Sequence, residues 1–117
     1  MRKCIINMED IVLTVKPLAC KYQVEKIYLF GSYARGEADY NSDLDFLIIG
    51  GEKFKLTNIL SIGEELREAF NIEVDVFEIS EINKDSELFK SIMKDKILIY
   101  NAVTLSQDAE SMFGIMQ

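Results

Sequence analysis

Leu29-Phe30-Gly31-Ser32-Tyr33-Ala34-Arg35-Gly36-Glu37, and further on Ser42-Asp43-Leu44-Asp45-Phe46-Leu47-Ile48-Ile49, carry the most information in this chain. A Gly-Ser turn follows one apolar run, and ten residues later two alternating aspartates open another. Successive side chains of a strand point to opposite faces, so Asp43 and Asp45 share one face while Leu44, Phe46 and Ile48 share the other. The pattern predicts two carboxylates directed at one point and an apolar set directed at a core.

A third acid, Asp75, sits in a similar short apolar run, Ile72-Glu73-Val74-Asp75-Val76-Phe77. If the strand it belongs to lies beside the strand of Asp45, the three aspartates form one acidic cluster. Two hard oxygen ligands on a rigid strand suit Mg²⁺, which takes one or two carboxylates and completes its shell with water and substrate phosphates. Two such ions roughly 3.5–4 Å apart could clamp an in-line displacement on phosphorus. Asp75, as the acid nearest the attacking hydroxyl, is the candidate general base.

Gly31 and Ser32 supply the complementary chemistry. Glycine lets the backbone approach a phosphate closely. The amides that follow open a short helical turn, whose N–H groups point at an anion, and the Ser32 hydroxyl adds a donor. Arg35 lies one turn beyond Ser32, where it can touch phosphate or pair with a nearby acid. Each feature alone has a structural explanation: Gly-Ser ends strands, and Glu73 with Asp75 can be the wet face of a half-buried strand. Asp45 resists that explanation, because an unpaired acid among strand apolar residues is costly to bury.

Outward from this centre, residues 8–22 read as a helix with Ile11, Val12, Val15, Leu18, Ala19 and Tyr22 on one face. Asn7 can cap it, and Pro17 predicts a kink or a split. Lys26–Phe30, Asp43–Ile49 and Ile72–Ile79 read as strands. Leu56, Ile59, Leu60, Gly63, Leu66 and Phe70 form the predicted stripe of a second long helix. Leu88, Phe89, Ile92 and Met93 mark another, and Ile97–Tyr100 reads as an edge strand. The alternation argues for an α/β or α+β domain with a small sheet, spanning residues 1–100. The tail, 101–117, can be a helix capped by Ser106 or a mobile terminus.

At 117 residues, 49% of them hydrophobic, one domain with a real core is expected. The net charge of −7 disfavours general nucleic-acid binding, although a cation can still bridge an acidic site to a nucleotide. No apolar run reaches the length of a membrane span, and Glu9 and Asp10 interrupt the N-terminus before a signal-type apolar stretch develops. Cys4 and Cys20 lack CxxC spacing, and with no His in the chain a Cys/His zinc site is excluded. Both read as reduced packing thiols of a cytoplasmic protein.

The Gly31-Ser32, ten-residue, Asp43-x-Asp45 pattern resembles the signature of the DNA polymerase β-like nucleotidyltransferase superfamily. The longer string Phe30–Glu37 with Ser42–Asp45 is similar to its minimal nucleotidyltransferase branch, the MNT antitoxin-like proteins. The resemblance runs from the first helix to about Tyr100. It maps the third family acid onto Asp75 and leaves no departure among the three acids. It implies a mixed, twisted sheet with helices mainly on one face, and Mg²⁺-dependent transfer of a nucleoside monophosphate, usually AMP from ATP, to a hydroxyl. It implies a helical HEPN-domain toxin as partner, neutralised in some members by adenylylation of a tyrosine. Two other expectations stand beside that one: an antitoxin acting by occlusion alone, and a small-molecule adenylyltransferase of the aminoglycoside type. No second domain is visible to hold an acceptor, so a partner, or the other half of a homodimer, is expected to complete that side.

Overall fold

The computed structural model describes residues 5–102. Its elements run α1 (Met8–Lys21), β1 (Lys26–Phe30), α2 (Ser32–Arg35), β2 (Leu44–Ile49), α3 (Asn58–Phe70), β3 (Val74–Glu78), a 3₁₀ turn (Ile79–Glu81), α4 (Glu87–Asp95) and β4 (Ile97–Asn101). The four strands form one mixed sheet in the order β3-β2-β1-β4. β1 is antiparallel to both β2 and β4, whereas β2 and β3 run parallel. A parallel pair needs a crossover, and α3 supplies it.

Helices cover both faces unequally. α1 and α3 bury the larger core, in which Ile11, Val15, Ile62 and Leu66 meet Ile27, Leu29, Leu44, Phe46 and Ile48. On the opposite face α4 inserts Ile92 against Phe30 and Leu47. β2 is therefore sandwiched: Leu47 is as fully buried as Leu44, Phe46 and Ile48, so its apolar run is continuous where alternation would leave one side wet. Each such side chain contributes about 1.5–3 kcal/mol on burial.

Asn7 caps α1 as expected, its Oδ1 accepting the Asp10 N–H at 2.8 Å. Pro17 does not split the helix, which runs unbroken through it. Pro17 and Leu13, whose carbonyl loses its helical partner, both lie on the exposed side, where water can satisfy that carbonyl. Lys21 pairs with Glu65 at 2.9 Å, and the Tyr22 hydroxyl donates to the same carboxylate, joining α1 to α3.

Three expectations need correction. Leu60 is 78% exposed and Leu56 45% exposed, whereas Ile62 is 1% exposed. α3 starts at Asn58, which leaves Leu56 outside it, and its core-facing stripe is the buried Ile62, Gly63 and Leu66 with the half-buried Ile59 and Phe70, the latter stacked on Phe46. The third strand is shorter than Ile72–Ile79, because the Glu78 side chain accepts the Ser80 N–H and turns the chain into the 3₁₀ segment. Cys20 is a free, exposed thiol lying 3.6 Å from the Tyr100 hydroxyl rather than a core residue. Cys4 and the predicted helix after Ser106 lie outside the described residues. β4 is an edge strand, as expected, and extends one residue further, to Asn101. No helix among the described residues is long and apolar enough to cross a membrane.

Candidate active site

The Gly-Ser turn and the acids meet at one end of the sheet. Phe30, the last residue of β1, stands opposite Asp45 in the antiparallel register. Asp45 stands opposite Asp75 in the parallel register. Residues in register on neighbouring strands point to the same face, so Asp45 and Asp75 project together. That face also carries Phe30, Leu47 and α4. Asp43 sits one residue before β2 rather than inside it. The turn leading into it is ordered by Asp39, whose Oδ1 accepts the Asn41 N–H at 2.8 Å and whose own N–H donates to Ser42 Oγ at 2.8 Å.

Burial graduates across the three acids: Asp43 and Asp75 are exposed, Asp45 is half-buried. The Asp45 carboxyl is pushed up to about 6, first by burial, then by the negative charges of Asp75 and Asp43 and a hydrogen bond with Asp75. Arg35 offsets part of that rise. The three aspartates therefore act on one another, although among the described residues they do not form a ready-made cage of three metal ligands. Close carboxylates with no cation between them repel and share a proton. An ion that needs only one or two protein carboxylates, and takes its remaining oxygens from water and phosphate, fits such a set better than one that needs a full protein cage.

Gly31 forms the other wall. It has φ +79° and ψ −158° and caps the single turn of α2. A Cβ on Gly31 would collide with Oδ2 of Asp45. The first bond within α2 runs from the Arg35 N–H to the Gly31 carbonyl at 3.0 Å, leaving the amides of Ser32, Tyr33 and Ala34 upstream of the intrahelical ladder. Ser32 is half-buried at this turn, and Gly36 closes it in the left-handed conformation.

Arg35 takes the acid-pairing option. Its Nε donates to Glu37 Oε1 at 3.0 Å, and its Nη1 to Asp95 Oδ2 at 2.8 Å. The Asp95 side chain is only 8% exposed, so the guanidinium is anchored to α4 while its charge still reaches Asp45.

Two acids escaped the sequence reading, one beside the site and one that braces the far end of β2. Asp95 is separated from Arg35 by 60 positions, and no local pattern announces that pair. Glu78 is 6% exposed and ties β3 to the end of β2, its Oε2 accepting the Gly50 N–H at 3.1 Å. Its place on the inward face of the β3 alternation was the available signal.

A model of the polymerase β nucleotidyltransferase domain matches residues 14–104. The chain belongs to the polymerase β nucleotidyltransferase family. It is accordingly a nucleotidyltransferase, with the small mixed sheet of the minimal members of that fold. A Methanocaldococcus jannaschii relative, assigned provisionally by its name to the protein adenylyltransferases, is 33% identical over 80% of this chain and 92% of its own length. The protein adenylyltransferase MntA of Thermococcus cleftensis is 30% identical over 80% of this chain and 97% of its own. Among solved structures, a toxin–antitoxin complex with AMP-PNP superposes with a TM-score of 0.67 at 19% identity, over 91% of this chain and 89% of the other. The Shewanella oneidensis complex of a tri-AMPylated HEPN toxin with its MNT antitoxin gives 0.62 at 16% identity, over 94% and 90%. At those identities the likeness is one of fold.

Proposed function

We propose that this nucleotidyltransferase moves AMP from ATP to a hydroxyl of a helical HEPN-type partner protein and thereby acts as the antitoxin of a toxin–antitoxin pair. The observation that carries the proposal is the register of Asp45 opposite Asp75, with Gly31 against the Asp45 carboxylate. The names of the archaeal relatives support protein as the acceptor, and the fold-level likeness to toxin–antitoxin complexes supports the partner class.

Asp43 and Asp45 would hold Mg²⁺, with Asp75 completing the set, since all three donors are hard carboxylate oxygens. When bound, Mg²⁺ supplies charge neutralisation on the phosphates and lowers the pKa of the acceptor hydroxyl. Gly31 and Ser32 seat the triphosphate through the free amides of the α2 turn. Asp75, the more exposed of the two acids in register, takes the proton of the incoming hydroxyl. The acceptor oxygen bonds to the α-phosphorus, the bond from that phosphorus to the bridging oxygen breaks, and pyrophosphate leaves. Ser32 and the adjoining amides hold the departing end. Arg35, anchored beside the acids, adds positive charge near that end. The protein works in the cytoplasm, with the partner, or a second copy of this chain, supplying the acceptor side.

Incubation with α-labelled ATP, Mg²⁺ and the helical protein encoded beside it is expected to label that protein, and Asp43→Asn with Asp45→Asn to abolish the label. Neutralisation of the partner by the unlabelling double variant at normal expression would favour occlusion instead. Labelling of an aminoglycoside with no protein acceptor would favour the small-molecule reading.

A further inference from the structure

Four of the five tyrosines of this chain are engaged. Tyr22 donates to Glu65, and Tyr28 lies half-buried under the Lys96 ammonium. The Tyr33 hydroxyl accepts the Ile6 N–H at 3.4 Å, and Tyr100 is buried beside the Cys20 thiol. Tyr40 differs. It is 67% exposed, and its hydroxyl makes no hydrogen bond among the described residues. A single exposed aromatic needs no explanation by itself; its position does. Tyr40 stands at the tip of a turn locked from Asp39 to Ser42. The Ser42 N–H donates to the Asp39 carbonyl at 3.1 Å, the Asn41 N–H to Asp39 Oδ1 at 2.8 Å, and the Asp39 N–H to Ser42 Oγ at 2.8 Å. Asp43 follows three residues after Tyr40, so their Cα atoms are at most about 11 Å apart. Two other hydroxyls lie close in sequence, and neither is free: Ser42 Oγ is taken up by Asp39, and Ser32 is half-buried in the Gly31 turn.

The turn rises from the wrong side for its own site. Gly36 and Ala38, which lead into it, line a cleft with Ile6, Met8 and Ile11 on the α1 face of the sheet. Asp45 and Asp75 project from the other face, which α4 covers. The order β3-β2-β1 also sets Asp75 and Gly31 on opposite flanks of Asp45. An in-line displacement needs the nucleophile opposite the departing pyrophosphate. With the triphosphate seated at Gly31, the nucleophile must come from the Asp75 flank. A turn joined to α2 through Gly36 reaches the site from the Gly31 flank, whereas the exposed Asp75 is open to a second molecule.

We infer that Tyr40 is a modification site: its phenol accepts AMP from the active site of a second copy of this chain. The inference rests on the nucleotidyl-transfer reading. The phenolic oxygen bonds to the α-phosphorus, the bond from that phosphorus to the bridging oxygen breaks, and pyrophosphate leaves. The phenolic proton passes to Asp75 of the copy that holds the nucleotide. A phenol gives up its proton more readily than an alkyl hydroxyl, so it asks less of that base. Tyr40 is the tyrosine whose hydroxyl needs no existing contact broken before it enters another molecule's site.

The experiment separates donor from acceptor. The full chain is incubated with α-labelled ATP and Mg²⁺, without the helical protein, and the label is mapped by mass spectrometry. Trypsin cuts after Arg35 and Lys53 and releases residues 36–53, in which Tyr40 is the only tyrosine. The wild-type chain is expected to carry AMP on Tyr40, at a rate per molecule that rises with protein concentration. Tyr40→Phe alone, and Asp43→Asn with Asp45→Asn alone, are each expected to lose that label at least tenfold. A mixture of the two is expected to restore it, on the aspartate variant only. Tyr40→Phe is also expected to label the helical protein as the wild type does. Label on the helical protein with none on Tyr40 would overturn this assignment and leave nucleotidyl transfer standing; label on neither would overturn both. AMP on another residue of the wild-type chain, an unlabelled mixture, or a rate per molecule that stays constant on dilution would equally overturn the assignment.

Discussion

Gly31 lies so close to Asp45 that a Cβ at residue 31 would overlap Oδ2 of the Asp45 carboxylate and force it to move. The backbone of Gly31 imposes the same restriction independently, since φ +79° with ψ −158° is a region that essentially only glycine occupies. The turn and the acid are thus built as one unit.

Gly31→Ala is therefore expected to be damaging twice. Backbone strain should cost about 1–3 kcal/mol of stability, and displacement of Asp45 should abolish AMP transfer even where the fold survives. Thermal denaturation and a transfer assay on the same preparation check this. A variant with wild-type activity would mean that the close approach has no functional consequence.

Asp45 sets a pH dependence in the metal-free protein. Its carboxyl titrates at about 6 in the fold, against about 3.9 in an unfolded chain. The unfolded state then gives up the proton first, so this contribution to stability is present below pH ~4 and is lost as pH rises through about 6. Because the group is half-exposed, solvent screening holds the loss to on the order of 1 kcal/mol. Denaturation in the presence of a chelator should show wild-type stability falling between those pH values, and Asp45→Asn removing that fall. Added Mg²⁺ should restore wild-type stability at neutral pH and leave the variant unchanged. A flat wild-type profile would contradict the electrostatic picture of the cluster.

Glu78 makes a structural prediction. Truncation to alanine leaves the Gly50 and Ser80 N–H groups without their acceptor, at a cost of about 1–3 kcal/mol. The exposed Glu81 serves as comparison, with Glu81→Ala expected to stay within about 0.5 kcal/mol. Equal urea midpoints for the two variants would show that the Glu78 bonds add no stability.

α3 offers a test of its phase. Ile62→Ala should cost about 2–5 kcal/mol as a core truncation, whereas Leu60→Ala should stay within about 0.5 kcal/mol. The opposite ranking in chemical denaturation would place Leu60 back in the core.

These expectations separate what local pattern reveals from what packing decides. β1, the α2 turn and β2 were legible because each is coded by contiguous residues: a β-branched and aromatic run, a Gly-Ser break, a second apolar run. Asp43, Asp45, Gly31 and Ser32 are all within that stretch. On α3 the spacing of Ile59, Gly63, Leu66 and Phe70 reveals the core-facing stripe, whereas Leu56 falls before the helix and Leu60 is exposed while Ile62 is buried, because packing on the sheet and not spacing decides which flank of the stripe is covered. Arg35 had two readings in sequence, and its pairing with Asp95 required α4 to fold back beside α2.

The chain by itself determined that Asp45 would stand on the strand downstream of the Gly31-Ser32 turn, with Asp43 just before it, because backbone periodicity is a short-range property. Only the tertiary structure decided that Asp75 would join them. Its alignment opposite Asp45 depends on β3 pairing in parallel with β2 after the α3 crossover, and such pairing is set by burial of both faces of the sheet. The same packing half-buries Asp45 among its acidic neighbours, which is what raises its carboxyl to about 6.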